Sequence, residues 1–124
     1  MDRETGGSTG GGPAMLMLPP SVRIFICAEV TDMRRSFDRL AEMTRSILEQ
    51  DPCSGHLFVF FNRTRDRVKI LFWDRNGFGL FYKRLEAGCF NPGKKTEVNV
   101  AELALVLEGL DLCEAKQRKR FSIK

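Results

Sequence analysis

VKILFWDRNGFGLFYKRL, residues 68–85, is the segment that says most about the fold of this chain. Two apolar runs flank Asn76-Gly77, the dipeptide most typical of a two-residue β-hairpin connection. Successive side chains of a strand point to opposite faces, so apolar residues at odd and even positions make both faces of this hairpin apolar. The sequence therefore predicts a sheet covered by a helix on one face and, on the other, by the C-terminal helix, a dimer mate or a partner protein.

The segments around this hairpin predict an α+β fold. Apolar and β-branched runs predict four strands and one short edge strand, over residues 21–28, 56–62, 67–74, 78–85 and 96–100. One segment with a helical pattern lies between the first and second of these strands, and another follows the fifth. The order β-α-β-β-β-(β)-α predicts a single small domain, in which a mainly antiparallel β-meander is packed by one long helix.

Both predicted helices have recognisable starts. Cap-type residues at 31–32 precede apolar positions at helical spacing, which predicts a long helix that ends before Pro52. Asn99 with Glu102 forms a capping-box pattern, which predicts a second helix that Gly109 closes. We expect the inner stripe of that helix to contain Leu103, Val106, Leu107 and Leu110.

The net charge of +4 is concentrated at one end of the chain. Residues 113–124 contain five Lys or Arg and one Glu, so the rest of the chain is electrically balanced. We predict three parts: a flexible Gly-rich N-terminal tail at 1–15, one domain at 16–112 and a basic C-terminal tail at 113–124. Basic tails are commonly solvated arms, and some of them bind phosphates.

Length and composition predict one globular domain without a membrane partner. The chain has 124 residues, 43% of them hydrophobic, and no apolar run long enough to cross a bilayer. The N-terminal segment lacks the basic-then-apolar order of a signal peptide, which favours a cytoplasmic location. Four scattered cysteines without a C-x-x-C pair predict reduced thiols rather than a disulfide framework.

The region 63–84 combines basic and aromatic residues. Seven Lys or Arg stand against two Asp, and Trp73, Phe81 and Tyr82 lie among them. Single-strand binders use this mixture, with aromatic platforms and a cationic rim. The alternative interpretation is that the aromatics belong to the core and the basic residues are solvated hairpin edges. The strands contain no RNA-recognition signature of the RNP type.

No pattern predicts a catalytic site, a metal site or a cofactor. His56 is the only histidine, and with Cys53 it forms half of a zinc-site pattern without the other two ligands. We expect His56 to hold the turn by a hydrogen bond instead. Asp66 and Asp74 occupy turns, where Asp is favoured for local hydrogen bonding. Gly77-x-Gly79 lies inside a hairpin and is not a phosphate-binding loop.

Three blocks resemble the small accessory protein of the insertion-sequence-sixty-six family, called TnpB or Orf2-like. They are TDMRRSFDRLA (31–41), the segment 51–90 that includes SGHLFVF and FWDRNGFGLFYKRLEAG, and AELALVLEGLDL (101–112). The resemblance covers about residues 16–112. It implies an accessory protein required for efficient transposition beside a separate transposase that carries the acidic catalytic triad. Arg39 and Arg65 stand where that family commonly has glycine, and Cys89 replaces a frequent basic residue.

The resemblance and the charge pattern lead to two hypotheses. The first is a non-catalytic accessory factor that binds the transposase of the same element, element DNA or both. The candidate nucleic-acid contacts are Arg34, Arg35, Arg63, Arg65, Arg67, Lys69, Lys83 and Arg84. The alternative is a dimerisation or transposase-docking module without direct DNA contact. Its candidate interface residues are Trp73, Phe81 and Leu105.

Overall fold

The predicted hairpin forms one edge of a five-stranded sheet. The structure is a computed structural model that describes residues 18–110, so the two predicted tails, 1–15 and 113–124, lie outside the described residues. The elements in chain order are β1 (Ile24–Ile26), α1 (Phe37–Ser46), β2 (Leu57–Phe61), β3 (Arg67–Asp74), β4 (Gly77–Arg84), β5 (Glu97–Val98) and α2 (Val100–Glu108).

The sheet is mixed, with strand order β4-β3-β2-β1-β5. Strands β2, β3 and β4 form the predicted antiparallel meander, and β5 pairs antiparallel with β1. Strand β1 pairs parallel with β2, because α1 carries the chain back to the end of the sheet from which β1 started. The α+β class and the mainly antiparallel sheet are confirmed, and the parallel pair is a feature that the sequence analysis did not predict.

A helix covers each face of the sheet. On the face that we call the α1 face, Leu40 and Ala41 pack against Phe58, Phe60 and Leu71. On the opposite α2 face, the larger core joins the helix residues Leu103, Val106 and Leu107 to buried side chains of β1, β2 and β3. Of the three candidates for covering the second face, the C-terminal helix is therefore the one that does so.

Helix α1 starts later than predicted. The Asp32 side chain accepts a hydrogen bond from the Arg34 backbone N–H at 2.9 Å, and the Arg35 N–H donates to the Asp32 carbonyl at 3.0 Å. These bonds close a turn over residues 32–35, and Ser36 has extended backbone angles, so the helix begins only at Phe37. The predicted start at 31–32 is wrong because Asp32 satisfies the backbone of a turn rather than that of a helix.

The limits of helix α2 are those predicted, with Asn99 before its first residue and Gly109 after its last. The Asn99 side chain accepts from the Glu102 N–H, and the Glu102 side chain accepts from the Asn99 N–H, so both halves of the capping box are present. Gly109 closes the helix with φ 78°. Leu110 was predicted in the inner stripe, but it is 47% exposed because it lies beyond the helix and pairs its backbone with Cys89.

The cysteines only partly follow the expectation of reduced thiols. Cys27 and Cys53 are free, whereas Cys89 is buried and disulfide-bonded. The prediction is therefore wrong at Cys89, since the spacing of cysteines along a chain does not report which sulfur atoms approach each other in space.

Candidate functional site

An open groove of about 1030 Å³ lies between helix α1, the connection that precedes it and the turn between β2 and β3. We call it the basic groove, because its lining residues include five arginines: Arg34, Arg35, Arg39, Arg63 and Arg67. Three carboxylates, those of Glu29, Asp32 and Glu42, also line it, together with the edge-strand residue Tyr82.

Two of the five groove arginines are neutralised by neighbouring carboxylates. Arg34 pairs with Asp32 at 2.7 Å between Nη2 and Oδ2, and hydrogen bonds from Arg34 hold the pKa of Asp32 well below its usual range. Arg39 lies 3.5 Å from Glu42 between Nε and Oε1. Within residues 18–110, the Arg35, Arg63 and Arg67 side chains form no ion pair. These three guanidinium groups are therefore available to an anionic ligand.

Lys69 supports the groove from beneath. It is only 7% exposed, and its Nζ donates to the carbonyl oxygens of Met33 at 2.6 Å and Arg35 at 2.8 Å. Burial lowers the pKa of its ammonium group, an effect that the carboxylate of Asp32 opposes. Lys69 thus ties the Arg34–Arg35 segment to the sheet, and its own charge is already used inside the protein.

The β2–β3 turn is held by a side-chain network. Asn62 and Thr64 both donate to Asp66 Oδ1 at 2.8 Å, and the Asn62 side chain accepts from the Arg67 backbone N–H at 3.0 Å. This network places Arg63 at the groove. It also confirms that Asp66 bonds locally within its turn, as the sequence analysis predicted.

The remaining candidate cations lie away from the basic groove. Lys83 Nζ donates to the carbonyl of Leu107 at 2.8 Å, so it satisfies the C-terminal end of α2. Arg84 bonds Glu86 at 3.0 Å. Arg65 lines a separate cavity of about 290 Å³ near residues 92–96. The structure therefore brings together four of the eight candidate residues, Arg34, Arg35, Arg63 and Arg67.

The three candidate interface residues do not form one surface. Trp73 packs edge-on against Phe78, with ring centres 5.0 Å apart, and shares the α1 face with Leu71 by strand alternation. Phe81 packs against the core of the opposite α2 face. Leu105 is 69% exposed on the outer side of α2. Of the three residues, only Leu105 presents most of its side chain to solvent.

Two groove residues, Arg39 and Tyr82, were not among the candidate site residues, although Tyr82 was one of the aromatics noted in the region 63–84. Arg39 lies in the first turn of α1, and its helical spacing from Met43 is the signal that could have placed it beside the groove. Tyr82 lies directly opposite Lys69 in the β3–β4 ladder. A correct hairpin register would have placed Tyr82 beside this lysine.

The His56 side chain makes a hydrogen bond, but the bond joins two strands instead of holding the turn as expected. Its Nδ1 accepts a hydrogen bond from the Arg23 backbone N–H at 2.9 Å, which joins the chain entering β1 to the chain entering β2. Among the described residues, no three His, Cys, Asp or Glu side chains come together as a metal-binding group. No helix within residues 18–110 is long and apolar enough to cross a membrane.

Comparison with known proteins relates the chain to mobile elements. A family model described as "IS66 Orf2 like protein" matches residues 22–117. Two relatives from Sinorhizobium fredii (strain NBRC 101917 / NGR234) bear the names "Uncharacterized protein y4hO" and "Uncharacterized protein y4jC". The first is 37% identical over 77% of this chain and 88% of its own, and the second is 33% identical over 82% and 92%. No solved structure matches the chain.

Proposed function

This chain belongs to the family of IS66 Orf2-like proteins, and on that premise we propose that it is a non-catalytic accessory protein for DNA transposition of an insertion sequence. It acts in the cytoplasm by binding element DNA, the transposase of the same element, or both. The observation that carries the DNA-binding part of the proposal is the basic groove, with its three unpaired guanidinium groups at Arg35, Arg63 and Arg67.

The charge distribution supports binding to a phosphate backbone. The chain outside residues 113–124 is balanced in charge, yet the basic groove collects five arginines against three carboxylates. Guanidinium groups form bidentate hydrogen bonds with phosphate oxygens, so unpaired arginines favour this ligand. Asp66 bonds within its turn and Asp51 accepts from the Cys53 backbone N–H, so these two carboxylates have structural roles.

The test is binding of the full chain to duplex DNA from the terminal repeats of the element. We expect the double variant Arg63→Glu with Arg67→Glu to bind about tenfold or more weakly, because each lost phosphate contact removes counterion release. The matched control is Arg45→Glu with Arg75→Glu, which makes the same charge change at exposed positions outside the basic groove. Equal weakening by both double variants would contradict the groove as the DNA site.

Docking to the transposase is the second candidate function, and the exposed Leu105 favours it. A leucine that is 69% exposed on a helix whose other side is buried offers an apolar contact to a partner protein. We expect Leu105→Asp to reduce co-purification with the transposase of the element. Ala101→Asp, at another exposed position of the same helix, is the control. Unchanged recovery with Leu105→Asp would exclude this contact.

A further inference from the structure

We propose that the basic groove takes a single nucleic-acid strand, with phosphates on Arg35, Arg63 and Arg67 and one unpaired base stacked on Tyr82. This inference deepens the proposed function and rests on it. It assigns the groove to a strand whose bases are open, rather than to the outside of a duplex.

Tyr82 supplies the stacking surface. Its side chain is 49% exposed, and it is the aromatic residue among the described residues that line the basic groove. It belongs to strand β4 rather than to a loop, and the Lys69 ammonium group lies 4.8 Å from the centre of its ring. Since Lys69 is itself held by two carbonyl oxygens, the ring is positioned before any ligand arrives.

The arginines around Tyr82 come from three separate segments. Arg35 lies in the connection before α1, Arg63 in the β2–β3 turn and Arg67 at the start of β3. Arg67 also lies directly opposite Arg84 across the β3–β4 ladder, on the sheet face that carries Tyr82. Arg84 is neutralised by Glu86, so Arg67 is the member of this cross-strand pair that has no ion pair among the described residues.

A single strand fits this arrangement better than a duplex does. In a duplex the base faces are stacked inside the helix, so a protein groove reaches phosphates, sugars and base edges only. An exposed aromatic ring among phosphate-binding arginines is the combination that binds unstacked bases, and it tolerates any base because every base has a π face. A site for duplex phosphates would use the Tyr82 hydroxyl at most and would leave the face of its ring without a role.

The experiment measures anisotropy of labelled oligonucleotides with the full chain. The probes are a thymidine DNA strand, a uridine RNA strand of equal length and a DNA duplex of equal length. We expect one of the two single strands to bind more tightly than the duplex. Whichever single strand binds more tightly shows whether the groove takes DNA or RNA. We expect Tyr82→Ala to weaken single-strand binding roughly ten- to hundredfold.

Salt dependence separates stacking from phosphate contacts. For single strands the slope of log affinity against log salt is about −0.7 per phosphate contact, so Arg63→Gln should reduce the slope by about 0.7. Tyr82→Ala should leave the slope unchanged. Tyr82→Phe should retain affinity, and Tyr82→Leu, which keeps apolar bulk without the π face, should lose it as Tyr82→Ala does. Arg45→Gln is the control, and the basic segment 113–124 is common to all variants.

Two results would overturn the inference. One is duplex binding as tight as that of the tighter single strand, and the other is unchanged single-strand affinity in folded Tyr82→Leu. If duplex binding depends on Arg63 and Arg67 while Tyr82 has no effect, the inference fails and the DNA part of the proposed function stands. If no nucleic acid binds in a manner that depends on these arginines, the DNA part of the proposed function fails as well.

Discussion

Gly79 shows how one residue sets the packing of the central hairpin. It lies opposite Phe72 in the β3–β4 ladder, and a Cβ atom at this position would be 2.3 Å from the Phe72 ring. We expect Gly79→Ala to lower the free energy of unfolding by about 1–3 kcal/mol, because the ring must leave its place. Urea denaturation measures this change.

Gly77 provides the matched control for Gly79. It belongs to the same strand, and a Cβ atom there would meet nothing within 4 Å. Gly77→Ala should therefore change the free energy of unfolding by less than about 0.5 kcal/mol. If both alanine variants unfold at the same urea concentration, the close contact between Gly79 and Phe72 is not a constraint on the fold.

Arg65 stores backbone strain in the β2–β3 turn. Its φ of 58° lies in the left-handed region, which costs an L-residue roughly 1–2 kcal/mol. We expect Arg65→Gly to raise the free energy of unfolding by up to about 1 kcal/mol, since glycine adopts this region freely but loses more entropy on folding. Arg65→Ala, which removes the charge and keeps the strain, should give no such gain in thermal denaturation.

The structural position of Arg65 agrees with the sequence resemblance. The resemblance leads us to expect glycine at this position, and the structure has there the backbone angle that glycine favours. A thermal midpoint that falls in Arg65→Gly would show that the arginine side chain stabilises the turn by more than its backbone strain costs.

At the scale of elements, the two helices begin in different ways. Asn99 caps α2 with its side chain, whereas within the described residues the Ser36 side chain makes no cap hydrogen bond to α1. We expect Asn99→Ala to cost about 0.5–2 kcal/mol of unfolding free energy and Ser36→Ala to cost no more than a few tenths. Urea denaturation of both variants compares the two caps, and equal losses would contradict the difference.

The hairpin register could not be derived from the Asn-Gly signal. With Asn76 and Gly77 as the two central residues, Arg75 would face Phe78, but the ladder places Asp74 opposite Gly77. The connection is therefore Arg75-Asn76, with φ 58° at Arg75. Moving a two-residue turn by one position shifts the cross-strand pairs by two residues. Each side chain keeps its face of the sheet, so the predicted fold survived the wrong register.

The shape of the basic groove depends on this register and on the start of α1 at Phe37. The register brings Tyr82 rather than Arg84 opposite Lys69. The turn over 32–35 presents its carbonyl oxygens to the Lys69 ammonium group. Four of the groove arginines were candidates from the sequence, but no sequence pattern distinguishes them from Lys69 and Lys83, whose charges are used inside the protein.

At the scale of the whole molecule, three carboxylates make stability depend on acid pH. Hydrogen bonds lower the pKa of Asp32 (from Arg34), of Glu97 (from Arg23) and of Glu102 (from Lys95). A carboxylate with a lowered folded-state pKa stabilises the fold above its unfolded pKa of about 4, and this contribution is lost as the pH falls through the folded value.

We therefore expect the urea midpoint of unfolding to fall progressively as the pH is lowered from about 5 to 3. Glu97→Gln should reduce the size of this decrease, because the neutral side chain cannot be protonated. Glu49→Gln is the control, since Glu49 is exposed and, within the part of the chain that the structure describes, forms no ion pair. Identical pH profiles for wild type and Glu97→Gln would contradict the role of the Arg23–Glu97 pair.

The fold class, most strand limits and the complete second helix can be derived from the sequence alone. These features depend on neighbours along the chain, through side-chain alternation, the capping box and turn residues. The parallel β1–β2 pair, the hairpin register and the solvent exposure of each cation depend on tertiary packing. Whether Lys69 meets carbonyl oxygens or a phosphate depends on residues 34 and 36 positions away, Arg35 and Met33. No local pattern encodes such contacts, because they form only when distant segments pack together.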